Sequence, residues 1–291
     1  MKKITLSIII LSFNTCRLLK NCLKSLYENS PELNFEVIVI DNNSQDESVK
    51  MLKELYPRVR LFVNKKNLGF ARGNNQGIRK ARGNYVLFLN SDTLVHRKAL
   101  IMMVNYLRAN NQAGVIGCRL LNIDGSNQSS AGLFPYLWVT AVMLFKEHFR
   151  PSDSVRGSFD KIKKVDWVMG AAMMLKKKVL DEVGVFDEHI FMYMDELELC
   201  YRIKRTGYEV VFYPEAKITH LGRGSSETGK KDPILNIYRG LIYFYKKHRS
   251  LPELAVLRLM LKLKAFLALI IGCLTQDKYL KGTYAEAFRI S

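Results

Sequence analysis

The chain has 291 residues, 48% of them hydrophobic, and carries 45 lysines and arginines against 27 acids, a formal charge of +18. Such length and apolar content build a substantial core, which excludes a disordered polyelectrolyte. The five cysteines, Cys16, Cys22, Cys118, Cys200 and Cys273, are scattered with no close pair, which excludes a disulfide or zinc scaffold and fits a reducing compartment.

So large a charge imbalance calls for an anionic partner, with nucleic acid, anionic lipid and phosphorylated substrates all qualifying. The first residues, Met1-Lys2-Lys3 with an apolar run over 4–11, imitate a signal peptide. Phe13-Asn14-Thr15 stands where small residues would lead into Cys16, so the run reads as a first strand. Strands are predicted near 4–13, 35–41, 58–63, 84–90 and 113–118, and helices at 17–28, 44–56, 71–81 and 97–110. Short, near-continuous apolar runs of this kind are strands buried on both faces, and their alternation with helices predicts right-handed βαβ units. Three runs end in oxygen-bearing side chains, at Asn14, at Asp41, and at Asn90 with Asp92. Ligands of open α/β sheets bind at the carboxyl ends of strands, so these oxygens are expected to converge on one site.

Each polar cluster has a structural alternative. In Asp41-Asn42-Asn43-Ser44, Ser44 or Asn43 could cap the next helix, whereas Asp41 is placed to hydrogen-bond a ribose or a base edge. The segment from Asn67 through Gly69, Arg72 and Asn75 to Gly77 is rich in glycine and amides but matches neither the dinucleotide nor the P-loop spacing. Arg72 and Arg79 either reach a diphosphate or are solvated. Asn90-Ser91-Asp92 either offers a carboxylate to a hard divalent cation or caps a helix starting near Leu94.

After Gly117 the rhythm changes: 122–130 is polar, 134–149 aromatic and apolar, and 150–164 charged. A boundary is therefore expected near Gly117, dividing residues 1–117 from 118–230. Asp195-Glu196-Leu197-Glu198 opens a helix that closes with Lys204, Arg205 and Gly207, an order the helix dipole and C-cap favour by themselves. Glu198 is spaced to pair with Arg202, and Asp195 and Glu196, beside Phe191-Met192-Tyr193-Met194, are candidate general bases. His220 ends another strand-like run, as a ligand or as a structural residue.

Residues 231–291 form a basic, apolar extension. From Asn236 onward ten lysines and arginines stand against three acids. The helical stretch 254–274 is interrupted by Arg258, Lys262 and Lys264, leaving too few uncharged residues for the roughly 20 that span a bilayer. Composition favours contact with an anionic membrane surface over packing as a plain C-terminal helix. Arg258 and Lys262 share a helical face and Lys264 does not, which reads as imperfect amphipathicity.

Taken together, the motifs resemble glycosyltransferase family 2, in its bacterial rhamnosyltransferase-like branch. The resemblance runs from Ile4 to about Ser226. It is carried by Ser7-Ile8-Ile9-Ile10 with Asn14, Val39-Ile40-Asp41-Asn42, Asn67-Leu68-Gly69-Phe70 with Asn75, and Leu89-Asn90-Ser91-Asp92. It continues through Val165-Asp166-Trp167-Val168 with Gly170, Phe186-Asp187-Glu188, Leu199-Cys200-Tyr201-Arg202 and His220.

The resemblance implies a GT-A fold, a Rossmann-like mixed sheet flanked by helices with a helical C-terminal extension. It implies an inverting transfer from a nucleotide-diphosphate sugar, dTDP-rhamnose or a UDP-sugar, to an acceptor hydroxyl; the basic apolar extension adds the expectation that the acceptor is a lipid-linked or cell-surface glycan precursor, met at the inner face of the cytoplasmic membrane. Residues 1–117 would bind the nucleotide sugar through Asn14, Asp41, Asn67, Gly69, Arg72, Asn75 and Asn90, joined by Trp167 and Gly170. Residues 118–230 would bind the acceptor. Asp92 and His220 would hold Mg²⁺ or Mn²⁺, and Glu196 or its neighbour Asp195 would act as base.

The family pattern at that point is Glu-Asp-x-Asp, whereas this chain has Asp195-Glu196-Leu197-Glu198. A degenerate relative that only binds nucleotide sugar or glycan is the alternative this leaves. Nucleic acid is not the expected partner, because no aromatic-and-basic motif for strand stacking or groove reading is present.

Overall fold

The structure, a computed structural model, describes residues 3–146, 155–222 and 231–291. Part of the charged stretch expected over 150–164, and the Gly224-Ser225 segment after His220, lie outside the described residues.

Alternation of strand and helix follows the chain from β1 (Leu6–Ser12), α1 (Cys16–Asn29), β2 (Phe35–Asp41), α2 (Ser48–Leu55), β3 (Arg60–Val63), α3 (Gly69–Lys80), β4 (Tyr85–Asn90) and β5 (Thr93–Val95) to α4 (Ala99–Ala109) and β6 (Ala113–Leu121). Short strands β7 (Asn127–Gln128) and β8 (Ala131–Gly132) follow. Then come α5 (Leu137–Ala141) with a π-helical turn (Val142–Lys146), β9 (Arg156–Gly157), β10 (Lys163–Val165) and β11 (Trp167–Val168). The remainder is β12 (Ala172–Lys176), α6 (Lys177–Val183), α7 (Asp195–Arg205), β13 (Glu209–His220), α8 (Lys231–His248), α9 (Leu251–Leu274) and α10 (Lys278–Ile290).

The main sheet runs β10-β13-β6-β12-β4-β1-β2-β3, with β5 added to β13 and β7 to β6. Strands β3, β2, β1 and β4 are parallel, as the βαβ reading predicts. The antiparallel β12 separates β4 from β6 and makes the sheet mixed. Gly117, where a boundary is expected, sits inside β6 and pairs with Met173, so hydrogen bonding continues across that point. β8, β9 and β11 form a separate three-stranded sheet.

Apolar residues on the central strands alternate between two cores. Leu6, Ile8 and Ile10 of β1 join Leu87 and Leu89 of β4 on the side covered by α1, α2 and α4. Ile9, Val86 and Phe88 face the other side, with α3, α6 and α7. Burial on both faces is why these strands read as unbroken apolar runs. The second core also takes in Leu241, Phe244 and Tyr245 of α8, Leu257 and Leu261 of α9 and Tyr284 of α10. The C-terminal helices therefore complete a core. Tyr245 is fully buried and its hydroxyl donates to the Pro135 carbonyl at 2.6 Å.

Two local expectations are corrected. The helix after β2 begins at Ser48, not near Ser44, because Asp46 accepts from the Ser48 and Cys16 amides and Ser44 is engaged elsewhere. Asp92 caps no helix: Thr93–Val95 is a strand paired with β13, and the next helix starts at Ala99.

Candidate active site

The site is built at the carboxyl edge of β1, β2 and β4. Ser12 of β1 is opposite Asp41 of β2, and Leu11 is opposite Asn90 of β4. Asp41 and Asn90 therefore stand two strands apart on one edge, about 10 Å at the usual strand spacing.

Asp41 is fully buried, and its carboxylate accepts from the Ser44 amide at 2.9 Å and the Ser44 hydroxyl at 2.6 Å. That hydroxyl in turn accepts from the Asn14 amide at 2.9 Å, and the Asn14 side chain accepts from Gln45 N at 2.7 Å. Asn14 adopts φ 53°, a left-handed geometry that asparagine tolerates, and it turns the chain so that the β1 and β2 loops meet. Beside them, Asn42 donates to the Gly69 carbonyl at 3.4 Å and accepts from Asn64 at 3.0 Å.

The second group comes from pairing β5 with β13, which sets His220 opposite Thr93. His220 Nε2 lies 3.5 Å from Asp92 Oδ1 and 3.4 Å from Asn90 Nδ2. Its Nδ1 is 2.7 Å from Gln128 Oε1, while Gln128 Nε2 donates to Asn122 at 3.0 Å. Gln128 Oε1 is thus placed to accept from Nδ1, and Nε2 faces Asp92 and Asn90. Among the described residues no three His, Cys, Asp or Glu side chains cluster as a complete metal cage. One carboxylate and one imidazole nitrogen still suit a divalent cation that would take its other ligands from diphosphate oxygens and water. The protein donors present fit that group.

The third group is the start of α7. Asn90 N donates to the Ala171 carbonyl at 2.9 Å, and the neighbouring Gly170 faces Glu196: a Cβ on it would lie 3.6 Å from the Glu196 Cβ and 3.1 Å from the Phe70 ring. Glu196 is half-buried. Asp195 is buried, its Oδ2 meets no hydrogen-bond partner among the described residues, and burial pushes its carboxyl well above the usual range, helped by the charge of Glu196 and a hydrogen bond to it. That direction favours the neutral acid at Asp195, beside Glu196. Tyr193 and Met194 precede this pair at φ 64° and 70°. Consecutive left-handed non-glycine residues cost roughly 1–2 kcal/mol each and persist only where the surroundings hold them. Gly240 of α8 does so, since a Cβ there would stand 2.8 Å from Met194.

Other expected ligands are engaged by the protein. Asn67 Oδ1 accepts from Gly69 N at 2.9 Å, and Gly69 at φ 78° lets Phe70 N reach the Phe191 carbonyl at 3.0 Å. Asn75 is buried with both ends of its amide on Phe186, and Arg72 lies 3.6 Å from Glu188. The Trp167 indole donates to the Leu133 carbonyl at 2.9 Å in the smaller sheet. Sequence reasoning missed Gln128, which orients His220, and Ser44, which holds Asp41. Ser44 was readable as a polar neighbour of Asp41; nothing local to Gln128 marks it.

This architecture is that of GT-A glycosyltransferases. The fold superposes on PcManGT from Pyrobaculum calidifontis, a mannosyltransferase solved with GDP-Man and Mn²⁺, with a TM-score of 0.58 at 17% identity over 98% of this chain and 85% of that one. It superposes on S. aureus TarS 1-349 with a TM-score of 0.57 at 14% identity over 89% and 70%. The family model for Glycosyl transferase family 2 matches residues 7–184, and the chain belongs to that family.

Among its relatives, the N-acetylglucosaminyl-diphospho-decaprenol L-rhamnosyltransferase of Mycobacterium tuberculosis is 25% identical over 212 residues, covering 63% of this chain and 66% of the relative. The poly(ribitol-phosphate) beta-N-acetylglucosaminyltransferase TarP of Staphylococcus aureus is 29% identical over 186 residues, covering 62% and 51%. The chain thus spans no more than about two thirds of the length of these curated relatives.

Proposed function

We propose that this protein transfers a sugar, with inversion, from a nucleotide-diphosphate donor to a hydroxyl of a lipid-linked or cell-surface glycan precursor, working at the inner face of the cytoplasmic membrane. The observation that carries the reading is the meeting of Asn90, Asp92 and His220 at the carboxyl edge that also presents Asp41, with Glu196 reached through Gly170 and Ala171. The two relatives named above act, by name, on a polyprenyl-diphosphate sugar and on a poly(ribitol-phosphate), which supports a lipid-linked or envelope acceptor.

Asp41 and its loop hold the nucleoside. Asp92 and His220 Nε2 would hold Mg²⁺ or Mn²⁺. The cation, when bound, neutralises charge growing on the leaving group. Glu196 takes the acceptor's hydroxyl proton as that oxygen bonds to the anomeric carbon and the bond to the diphosphate oxygen breaks on the opposite face. Asp195 stays protonated and orients the Glu196 carboxylate.

The test is a screen of nucleotide sugars for cation-dependent thermal stabilisation, followed by transfer assays on lipid-linked and soluble acceptors. Transfer that disappears in Glu196→Gln and Asp92→Ala supports the reading. A protein that binds a nucleotide sugar but transfers nothing is the degenerate binder, and unchanged transfer in both variants removes the assigned chemistry.

A further inference from the structure

Helix α9 is apolar on two opposite sides. Leu254, Leu257, Leu261, Ala265, Ala268 and Gly272 are buried, and the helix packs on α8, α10 and α5. At 100° per residue, Leu259, Leu263, Phe266, Leu267, Ile270 and Leu274 fall on the far side. They are 40–81% exposed. An exposed apolar stripe of this size marks an interaction surface.

Basic residues border the stripe on both margins. On the same wheel Arg258 and Lys262 lie along one edge and Lys264 along the other, so the irregularity of Lys264 disappears once the buried side is fixed. The only acid in the helix, Glu253, is taken up by the Ser250 cap and by Arg249. Among the described residues no helix is long and apolar enough to cross a membrane.

We propose that this outer face of α9 is an in-plane docking surface for a leaflet containing anionic lipid. The stripe would sit at the boundary between headgroups and acyl chains, and both basic margins would meet lipid phosphates. Charge selects this occupant over a second copy of the chain: a two-fold pairing through the stripe would bring Arg258, Lys262 and Lys264 of both copies together with no acid on the face to neutralise them. A helix of 24 residues, about 36 Å long, also gives a straight contact along the bilayer plane. The proposal rests on the reading of a membrane-borne acceptor only for its purpose. Because α8 packs on both α9 and the turn at Met194, docking would fix the height of Glu196 above the leaflet.

The test uses the full chain, sedimented with vesicles of phosphatidylcholine alone or mixed with phosphatidylglycerol, with no donor present. We expect binding at least about tenfold tighter to the anionic vesicles, and a loss of about tenfold or more in Leu263→Glu/Phe266→Glu. That variant should keep its melting temperature and its transfer to a soluble acceptor. In Arg258→Gln/Lys262→Gln/Lys264→Gln the preference for anionic lipid should vanish. Undiminished vesicle binding by the first variant overturns the proposal, as does a vesicle-free dimer that the same variant dissolves. Because binding is scored without donor, its failure leaves the transfer reading standing, and failed transfer leaves docking standing.

Discussion

Lys247 of α8 donates to Glu198 of α7 at 2.8 Å and to Asp187 at 2.5 Å, so one ammonium joins the C-terminal helices to the helix that carries Glu196. Glu198 is fully buried and also takes Arg202 Nε at 3.0 and 2.9 Å and His248 Nε2 at 3.0 Å. Arg202 reaches on to the carbonyls of Val183 and Val185, leading into the segment that Asn75 of α3 grips. The C-terminal helices thereby help set where α7 begins.

Replacing Lys247 by methionine keeps the bulk and removes the charge. Breaking a buried pair outright costs several kcal/mol, but Lys247 is a third exposed and Arg202 and His248 remain, so a loss of about 1–2 kcal/mol is expected. Urea unfolding would read it as a lower midpoint at constant slope. Because Glu198 is two residues from Glu196, kcat should fall roughly tenfold with the donor KM unchanged. Lys247→Arg should restore part of the loss. A drop in stability with kcat intact would make the contact purely structural.

The Asp195 and Glu196 pair divides by environment. Asp195 is buried with one oxygen unpartnered among the described residues, whereas Glu196 is half-buried beside Gly170. Glu196→Gln should lower kcat by about 10²–10⁴, the range for loss of a general base. Asp195→Asn, whose amide can replace the acid's donated hydrogen bond, should retain most activity. Steady-state kinetics on both variants decides the assignment, and the reverse ranking would make Asp195 the base.

How far these features were legible in the sequence depends on their range. The carboxyl-edge residues Asn14, Asp41 and Asn90 were readable because each ends or closely follows a strand buried on both faces, a pattern contained in a few consecutive residues. The contact of His220 with Asn90 spans 130 residues and depends on β5, three residues long, so Asp92 read equally well as a helix cap. β12 offered no hairpin or crossover to place it between β4 and β6, and Gln128 stands in a two-residue strand. The ionic partners of Glu198 beyond Arg202 came from α8, a helix whose basic residues read as part of a membrane-contacting extension. Local patterns specified the elements and the carboxyl edge of the sheet; what joins α7 and His220 to that edge depends on long-range pairing.

Gln128 offers a test of the metal reading that leaves both first ligands in place. It contacts His220 Nδ1 at 2.7 Å, and loss of such an outer hydrogen bond typically weakens metal affinity 10–100-fold. Gln128→Leu should therefore need about 10–100 times more Mn²⁺ for half-maximal activity or for donor-dependent thermal stabilisation. With saturating cation, kcat should approach that of the parent. Equal cation dependence in the two proteins would remove His220 from the metal site.

Stability should respond to pH in two opposite ways. Burial alone would raise the Glu198 carboxyl, but Arg202 and then Lys247 and His248 hold it below its usual range. Asp187 is held low by Lys247, the His189 amide and Tyr243 against the same burial. For both, the unfolded chain takes up protons first, so their stabilisation is present above about pH 4.5 and is lost as pH falls through and below that value. Asp195 has the opposite sign: its carboxyl is raised, so the folded state binds the extra proton, and its contribution is lost as pH rises above the ordinary aspartate range. Melting curves from pH 3 to 8 should show a shallower acid decline for Glu198→Gln than for the parent. Asp195→Asn should gain on the parent progressively from about pH 4 upward, since its amide never ionises. An Asp195→Asn curve parallel to the parent throughout would mean that the acid is already ionised in the fold, which would undo its assignment as the protonated partner of Glu196.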